Sequence, residues 1–176
     1  MRIRNAGFTL IELTVTTAVL GILTGVSVGP MASLVEHRRA TAAITSLQTH
    51  MALARTAAIA RNHAAVLCPS RDGQTCSNGS DWSNGWILFI DANNNRQSDA
   101  GDEIVRTELR GNGDGLRIKS SNGRNKLRYR STGSSAGTNL TISICGRSNN
   151  LLGQVIVNNI GRPRSARPPA PTSCPA

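Results

Sequence analysis

Gly7-Phe8-Thr9-Leu10-Ile11-Glu12-Leu13-Thr14-Val15 opens the stretch that decides the fold: from Phe8 to Val35 the only charged residue is Glu12. Wound as a helix rising ~1.5 Å per residue, residues 8–28 span roughly 31 Å, the hydrocarbon thickness of a bilayer. Arg2 and Arg4 precede the run with no acid among residues 1–7. That asymmetry places residues 1–7 in the cytoplasm and everything beyond about residue 30 across the membrane. A secretory signal does not fit, because its apolar region covers only about 7–15 residues and ends in a small-residue cleavage site. A carboxylate within such a span costs on the order of 2.5–3.5 kcal/mol. Glu12 therefore calls for a cationic partner from outside its own helix.

Working outward, Gly29-Pro30 interrupts the helical pattern, where a proline kinks a helix without necessarily ending it. The pattern resumes with Ile44, Leu47, Met51, Ala54 and Ala58, an apolar stripe at spacings of three and four, and predicts an amphipathic helix over 31–62 lying on a globular core. Beyond it come short β-rich runs: Ala64–Cys68, Gly85–Ile90, Glu103–Glu108, Leu116–Lys119, Lys126–Arg130, Leu140–Cys145 and Gln154–Asn158. Turn pairs such as Asp72-Gly73, Asn84-Gly85, Asp114-Gly115 and Asn122-Gly123 separate them. The expected class is α+β, with a leader at 1–7, a transmembrane helix at 8–30, its amphipathic continuation at 31–62 and an antiparallel β-rich head at 63–176. The head ends in a Pro/Arg-rich tail, whose 162–171 segment carries too many prolines for a helix or a central strand.

Cys68, Cys76, Cys145 and Cys174 fall in the part assigned to an oxidising compartment, and no metal-type spacing links them. Four cysteines allow three connectivities; Cys68–Cys76 with Cys145–Cys174 is favoured, the first closing a turn-rich loop and the second tethering the tail to a late strand. With two Trp, two Phe and one Tyr in 176 residues, the core must draw mainly on Leu, Ile, Val and Ala. That scarcity argues against an aromatic-lined cofactor pocket. His37, His50 and His63 are spaced 13 apart and turn by about 220° at each step, so they share no helix face. Nucleophile-elbow, phosphate-loop and zinc-helix motifs are all missing from the sequence, which predicts no catalysis, no cofactor and no metal. Asp91, Asn93, Asn95, Gln97, Asp99 and Asp102 do follow calcium-loop spacing, but Arg96 stands where that loop requires Gly, so a polar turn is expected.

Charge is distributed unevenly. Residues 1–110 hold ten Lys/Arg and nine Asp/Glu; residues 111–176 hold ten Lys/Arg and a single acid, Asp114. An ordinary solvated surface mixes both signs, so this one-sided field points to a polyanionic partner. Arg117, Lys119, Lys126, Arg128 and Arg130 alternate with apolar residues and would face solvent from strands. Arg162, Arg164 and Arg167 extend the field on the Pro-stiffened tail, where guanidinium groups can grip successive phosphates. Tyr129 is the one aromatic nearby, so base stacking is poorly supplied. The expected binding is non-specific, phosphate-dominated contact with double-stranded DNA. Contact with other proteins, or simple solubility, is the competing use of these cations.

The chain resembles the type IV pilins and pseudopilins in its opening motif, and their FimT/FimU and GspH branch in Gly85-Trp86-Ile87-Leu88-Phe89-Ile90-Asp91 with Asn93, Asp102-Glu103 and Leu109-Arg110. The resemblance implies a type IV pilin fold. It also implies cleavage after Gly7 by a prepilin peptidase, methylation of Phe8, and pairing of Glu12 with the terminal amine of a neighbouring subunit. Gly161-Arg162-Pro163-Arg164 matches the G-R-x-R pattern by which similar FimT proteins of natural-transformation pili bind DNA. The resemblance therefore implies a minor pilin of a Gram-negative bacterium. It would be anchored once in the inner membrane with its head periplasmic, then assembled with the major and other minor pilins into an extracellular pilus that captures DNA for uptake. The alternative is a minor pilin or pseudopilin that primes pilus or type II secretion filament assembly without touching DNA.

Overall fold

The computed structural model describes residues 7–111, 115–137 and 139–175, and for residues 26–30 the backbone alone. The leader residues 1–6 and Asp114 lie outside the described residues. One helix, α1 (Leu10–Arg61), precedes eight strands: β1 (Ala64–Pro69), β2 (Gly85–Asp91), β3 (Glu103–Leu109), β4 (Arg117–Ser120), β5 (Leu127–Tyr129), β6 (Leu140–Cys145), β7 (Leu151–Val157) and β8 (Pro163–Ala166). Thr9 caps the helix, its hydroxyl oxygen accepting the Glu12 N–H at 3.3 Å. Asn62 ends it by adopting a left-handed conformation at φ 53°. The backbone remains helical through Gly29-Pro30, so the proline expected to interrupt α1 does not stop it.

Two compact units divide the chain, Met1–Val35 and Glu36–Ala176. In the first, α1 turns Leu10, Ile11, Leu13, Leu20, Ile22 and Leu23 outward, with Leu10 80% exposed. Among the described residues no helix is long and apolar enough to cross a membrane; the span expected over 8–30 includes residues 26–30, whose side chains are not described. In the second unit the stripe Ile44, Leu47, Met51, Ala54 and Ala58 is buried, as its spacing predicts.

The head is two antiparallel sheets, ordered β3-β2-β1-β5 and β4-β6-β7-β8. The inner faces of both, with Ala65, Leu67, Trp86, Leu88, Leu127, Ile118, Ile142, Ile144 and Val155, join the α1 stripe in one apolar core. β1 and β2 are apolar on both faces and wholly buried, because the outward-facing Val66, Cys68, Ile87 and Phe89 form a second small core with Cys76. The Cys68–Cys76 disulfide holds that cover in place, and Cys145 is joined to Cys174. Gly85 opens β2 at φ +128°, where any side chain would meet the Glu108 carbonyl. Of the five aromatics beyond the histidines, Trp82, Trp86, Phe89 and Tyr129 are among the largest fully buried side chains, a heavier share of the core than their number suggests.

Most strand bounds shift by a single residue from the sequence reading, and three differences alter an element. β7 begins at Leu151 rather than Gln154, since Leu152 and Gly153 also pack inward, and β5 is trimmed to three residues. The larger correction is β8: Pro163–Ala166, assigned to the tail, pairs with β7 at the edge of the second sheet. Its prolines permit this because an edge strand needs hydrogen bonds on one side only.

Candidate nucleic-acid interface

Register places the candidate cations. Lys119 lies opposite Ser143, Ser143 opposite Gln154 and Gln154 opposite Ala166, while Thr141, Ile156 and Arg164 align in the next row. Directly opposed residues share a face. Arg117, Lys119 and Arg164 therefore stand on the outer face of the second sheet, the first two on the β4 edge and the third on the β8 edge, three strands apart. Between them lie neutral groups, with Gln154 Nε2 donating to Ser143 Oγ at 3.1 Å. None of these four strands contains an acid.

Arg162 and Arg164 leave the turn 158–161 on exposed backbone. The turn is tightly built: Gly161 N–H donates to Asn158 O at 2.9 Å, Arg162 N–H to Asn158 Oδ1 at 3.2 Å, and Tyr129 OH to Gly161 O at 3.1 Å. Gly161 sits at φ +82°, and a methyl group there would press on Tyr129 Cε1 at 2.7 Å and on Gly133 O at 2.8 Å. Burial pushes Tyr129 up to about 12, so its hydroxyl keeps the proton it donates. Arg167 departs from the expected grouping: its Nη2 donates to Thr41 Oγ1 of α1 at 3.0 Å, which draws it towards the helix.

Lys126, Arg128 and Arg130 belong to the other sheet. Strand alternation holds for them, but the expectation of full exposure does not. Lys126 is half-buried and donates to Arg96 O at 3.1 Å. Arg128 is half-buried as well, its Nε lying 3.6 Å from the fully buried Asp91 and its Nη2 bonding Asn94. Arg130 is exposed. The predicted single field thus resolves into two cationic groups on different sheets. Arg124, passed over in the sequence because it interrupts no strand pattern, joins the second group by donating from Nη2 to Ser135 Oγ and Ala136 O.

The 91–102 loop is a web of Asx bonds. Asn93 and Asn95 donate to Asp99 Oδ2 at 3.0 and 2.7 Å, and Asp102 accepts from the backbone N–H groups of Ala92 and Asp99. Those amide donors hold the Asp99 carboxyl below its ordinary range. Among the described residues no cluster of three His, Cys, Asp or Glu is placed to hold a metal. At the N-terminus, Gly7 and Phe8 precede the helix on exposed backbone, and Glu12 sits three residues after the Thr9 cap.

Residues 43–161 match the family model of the type II transport protein GspH, and residues 2–28 match the prokaryotic N-terminal methylation motif. Two crystal structures of the type IV minor pilin FimU of Pseudomonas aeruginosa share the fold, at TM-scores of 0.57 and 0.58 and identities of 17% and 18%. They cover 76% and 80% of this chain and 98% of their own. The minor pseudopilin EpsH of the type 2 secretion system of Vibrio cholerae is similar at a TM-score of 0.51 and 17% identity, covering 74% of this chain and 98% of that one. No curated protein matches the sequence.

Proposed function

Because this chain belongs to the GspH family of type II transport proteins, we propose that it is a minor type IV pilin that binds extracellular DNA for uptake in natural transformation. In this reading it is made as a precursor with one inner-membrane helix, cut between Gly7 and Phe8 by a prepilin peptidase, methylated at Phe8, and assembled with other pilins through its N-terminal helix. The exposed apolar side chains of Leu10–Leu23 support a partner of that kind, membrane first and neighbouring helices afterwards. Glu12 would meet the terminal amine of an adjacent subunit, which supplies the counter-charge its own helix lacks.

The observation that carries the DNA reading is the set of four acid-free strands in the second sheet, with Arg117 and Lys119 at one edge, where Asp81 pairs opposite Lys119, and Arg164, beside Arg162, at the other. Such a surface attracts phosphates without reading bases. The test is a mobility shift of duplex DNA by the full-length chain in detergent at low salt. Replacing both arginines of the turn, Arg162→Gln with Arg164→Gln, should weaken binding about tenfold or more and reduce the slope of log affinity against log salt by about 2. Wild-type binding by that variant would refute the assignment of the interface to this turn, and a wild-type chain that shifts no DNA would refute the DNA reading and leave a filament subunit that primes assembly.

A further inference from the structure

A second basic feature lies on the first sheet, away from the face just described. Arg96, Arg124, Lys126, Arg128 and Arg130 line an open cleft of about 500 Å³, floored by Val66 and closed on one side by Ala136-Gly137. No acid lines it. Asp91 stands 3.6 Å from Arg128 Nε and is wholly buried.

The cleft holds donors that the fold does not satisfy. Arg124 is half-buried; its Nη2 is spent on Ser135 Oγ and Ala136 O, while Nη1 is buried with no hydrogen-bond partner. Arg128 Nε is likewise buried without a hydrogen bond. Burial holds the Arg124 guanidinium below its ordinary value, against an opposing pull from Tyr129. An unpaired buried donor is costly in a charged group. An oxyanion in the cleft would remove that cost, and the fork of a guanidinium suits a phosphate bidentately.

The wall of the cleft is also the wall of the arginine turn. Ser135 accepts from Arg124 through Oγ and donates its N–H to Asn159 O at 3.1 Å, and Tyr129, which precedes Arg130, holds Gly161. We propose that this cleft is a phosphate seat that takes the backbone of a nucleic-acid strand leaving the Arg162–Arg164 turn. The occupant rests on the DNA reading above; the anion chemistry does not.

The experiment uses the full-length chain in detergent with three probes: a short fluorescent DNA duplex, the corresponding single strand, and inorganic phosphate. Arginine Nε–H resonances should move on titration with inorganic phosphate, those of Arg124 and Arg128 furthest. Arg124→Gln with Lys126→Gln should bind DNA at least fivefold more weakly and lower the salt slope by 1–2. Arg124 also braces residues 135–136, so Arg96→Gln with Arg130→Gln, both exposed, provides the fold-neutral variant and should weaken binding about threefold. Undiminished DNA binding by both double variants, with phosphate leaving Arg124 and Arg128 unmoved, overturns the cleft while the turn at Arg162 stands. A wild-type chain that binds neither DNA form overturns the occupant; a phosphate response surviving in that case assigns the cleft to the free anion.

Discussion

The two halves of α1 bury apolar side chains in opposite measure. Between Ala43 and Ala58 the helix sinks Leu47, Met51 and Ala54 completely, whereas between Leu10 and Leu23 it leaves leucines and isoleucines more than half exposed. Both halves are good helix, so the contrast lies in what each half meets. The C-terminal half has a partner encoded in the same chain, the inner faces of two sheets. The N-terminal half carries apolar side chains that no described residue of its own unit covers, the property on which the proposed membrane and filament contacts rest.

The most forceful way to break that comparison is to shorten one leucine in each half. Leu47→Ala opens a cavity in the core that Leu47 shares with Trp86 and Leu88, and should cost about 3 kcal/mol, lowering the melting temperature of the detergent-solubilised chain by roughly 6–12 °C. Leu20→Ala removes the same atoms from an exposed site and should leave that melting temperature within about 1 °C, while reducing incorporation into filaments. Equal melting shifts would mean that the N-terminal half does pack on something of its own.

Gly161→Ala sharpens the comparison at the far side of the same core. Tyr129 belongs to the cluster that buries Leu47, and the added methyl group meets its ring and the Gly133 carbonyl in a left-handed backbone position. The expected cost is about 1–3 kcal/mol, smaller than that of Leu47→Ala. DNA affinity should fall beyond what the stability loss explains, because Arg162 and Arg164 leave the turn that this glycine closes. A variant that melts early yet binds DNA normally would separate the turn from the interface.

How far the sequence could be read follows from the same contrast. The helix and its buried stripe were legible because period 3.6 survives whatever the stripe meets, and six of the eight strands were placed almost to the residue because turn pairs bracket them. β8 was not legible: its residues carry two features that argue against a strand, proline and clustered charge, and only the vacant edge of β7 makes pairing there favourable. Disulfide pairing could be inferred from loop closure, and both bonds form as favoured. The division of the cations into two groups was invisible, since alternation gives the face of a strand but not the sheet to which it belongs. Arg124 was missed for a related reason: it lies between strands, and its importance comes from Ser135 and Ala136, eleven and twelve residues away.

The subtlest probe of the buried half of α1 is His50. Its Nδ1 accepts the indole N–H of Trp86 at 2.8 Å, which fixes the ring neutral at that nitrogen, and Glu108 and Arg106 of β3 face it with opposing charges. Burial, the largest effect, acts with Arg106 against Glu108 and holds its pKa below the ordinary 6.5. The unfolded chain therefore binds a proton more readily than the folded one across the interval just under 6.5. Unfolding free energy then rises with pH through that interval, and the contribution is fully present above 6.5 and lost as pH falls towards the folded value. His50→Gln can still accept from Trp86 through its amide oxygen but does not titrate. Its denaturant midpoint should be flatter than wild type between pH 5 and 7, with little difference at pH 8. A wild-type profile as flat as that of the variant would mean that the ring can charge in place, and that the seam between α1 and β2 admits water.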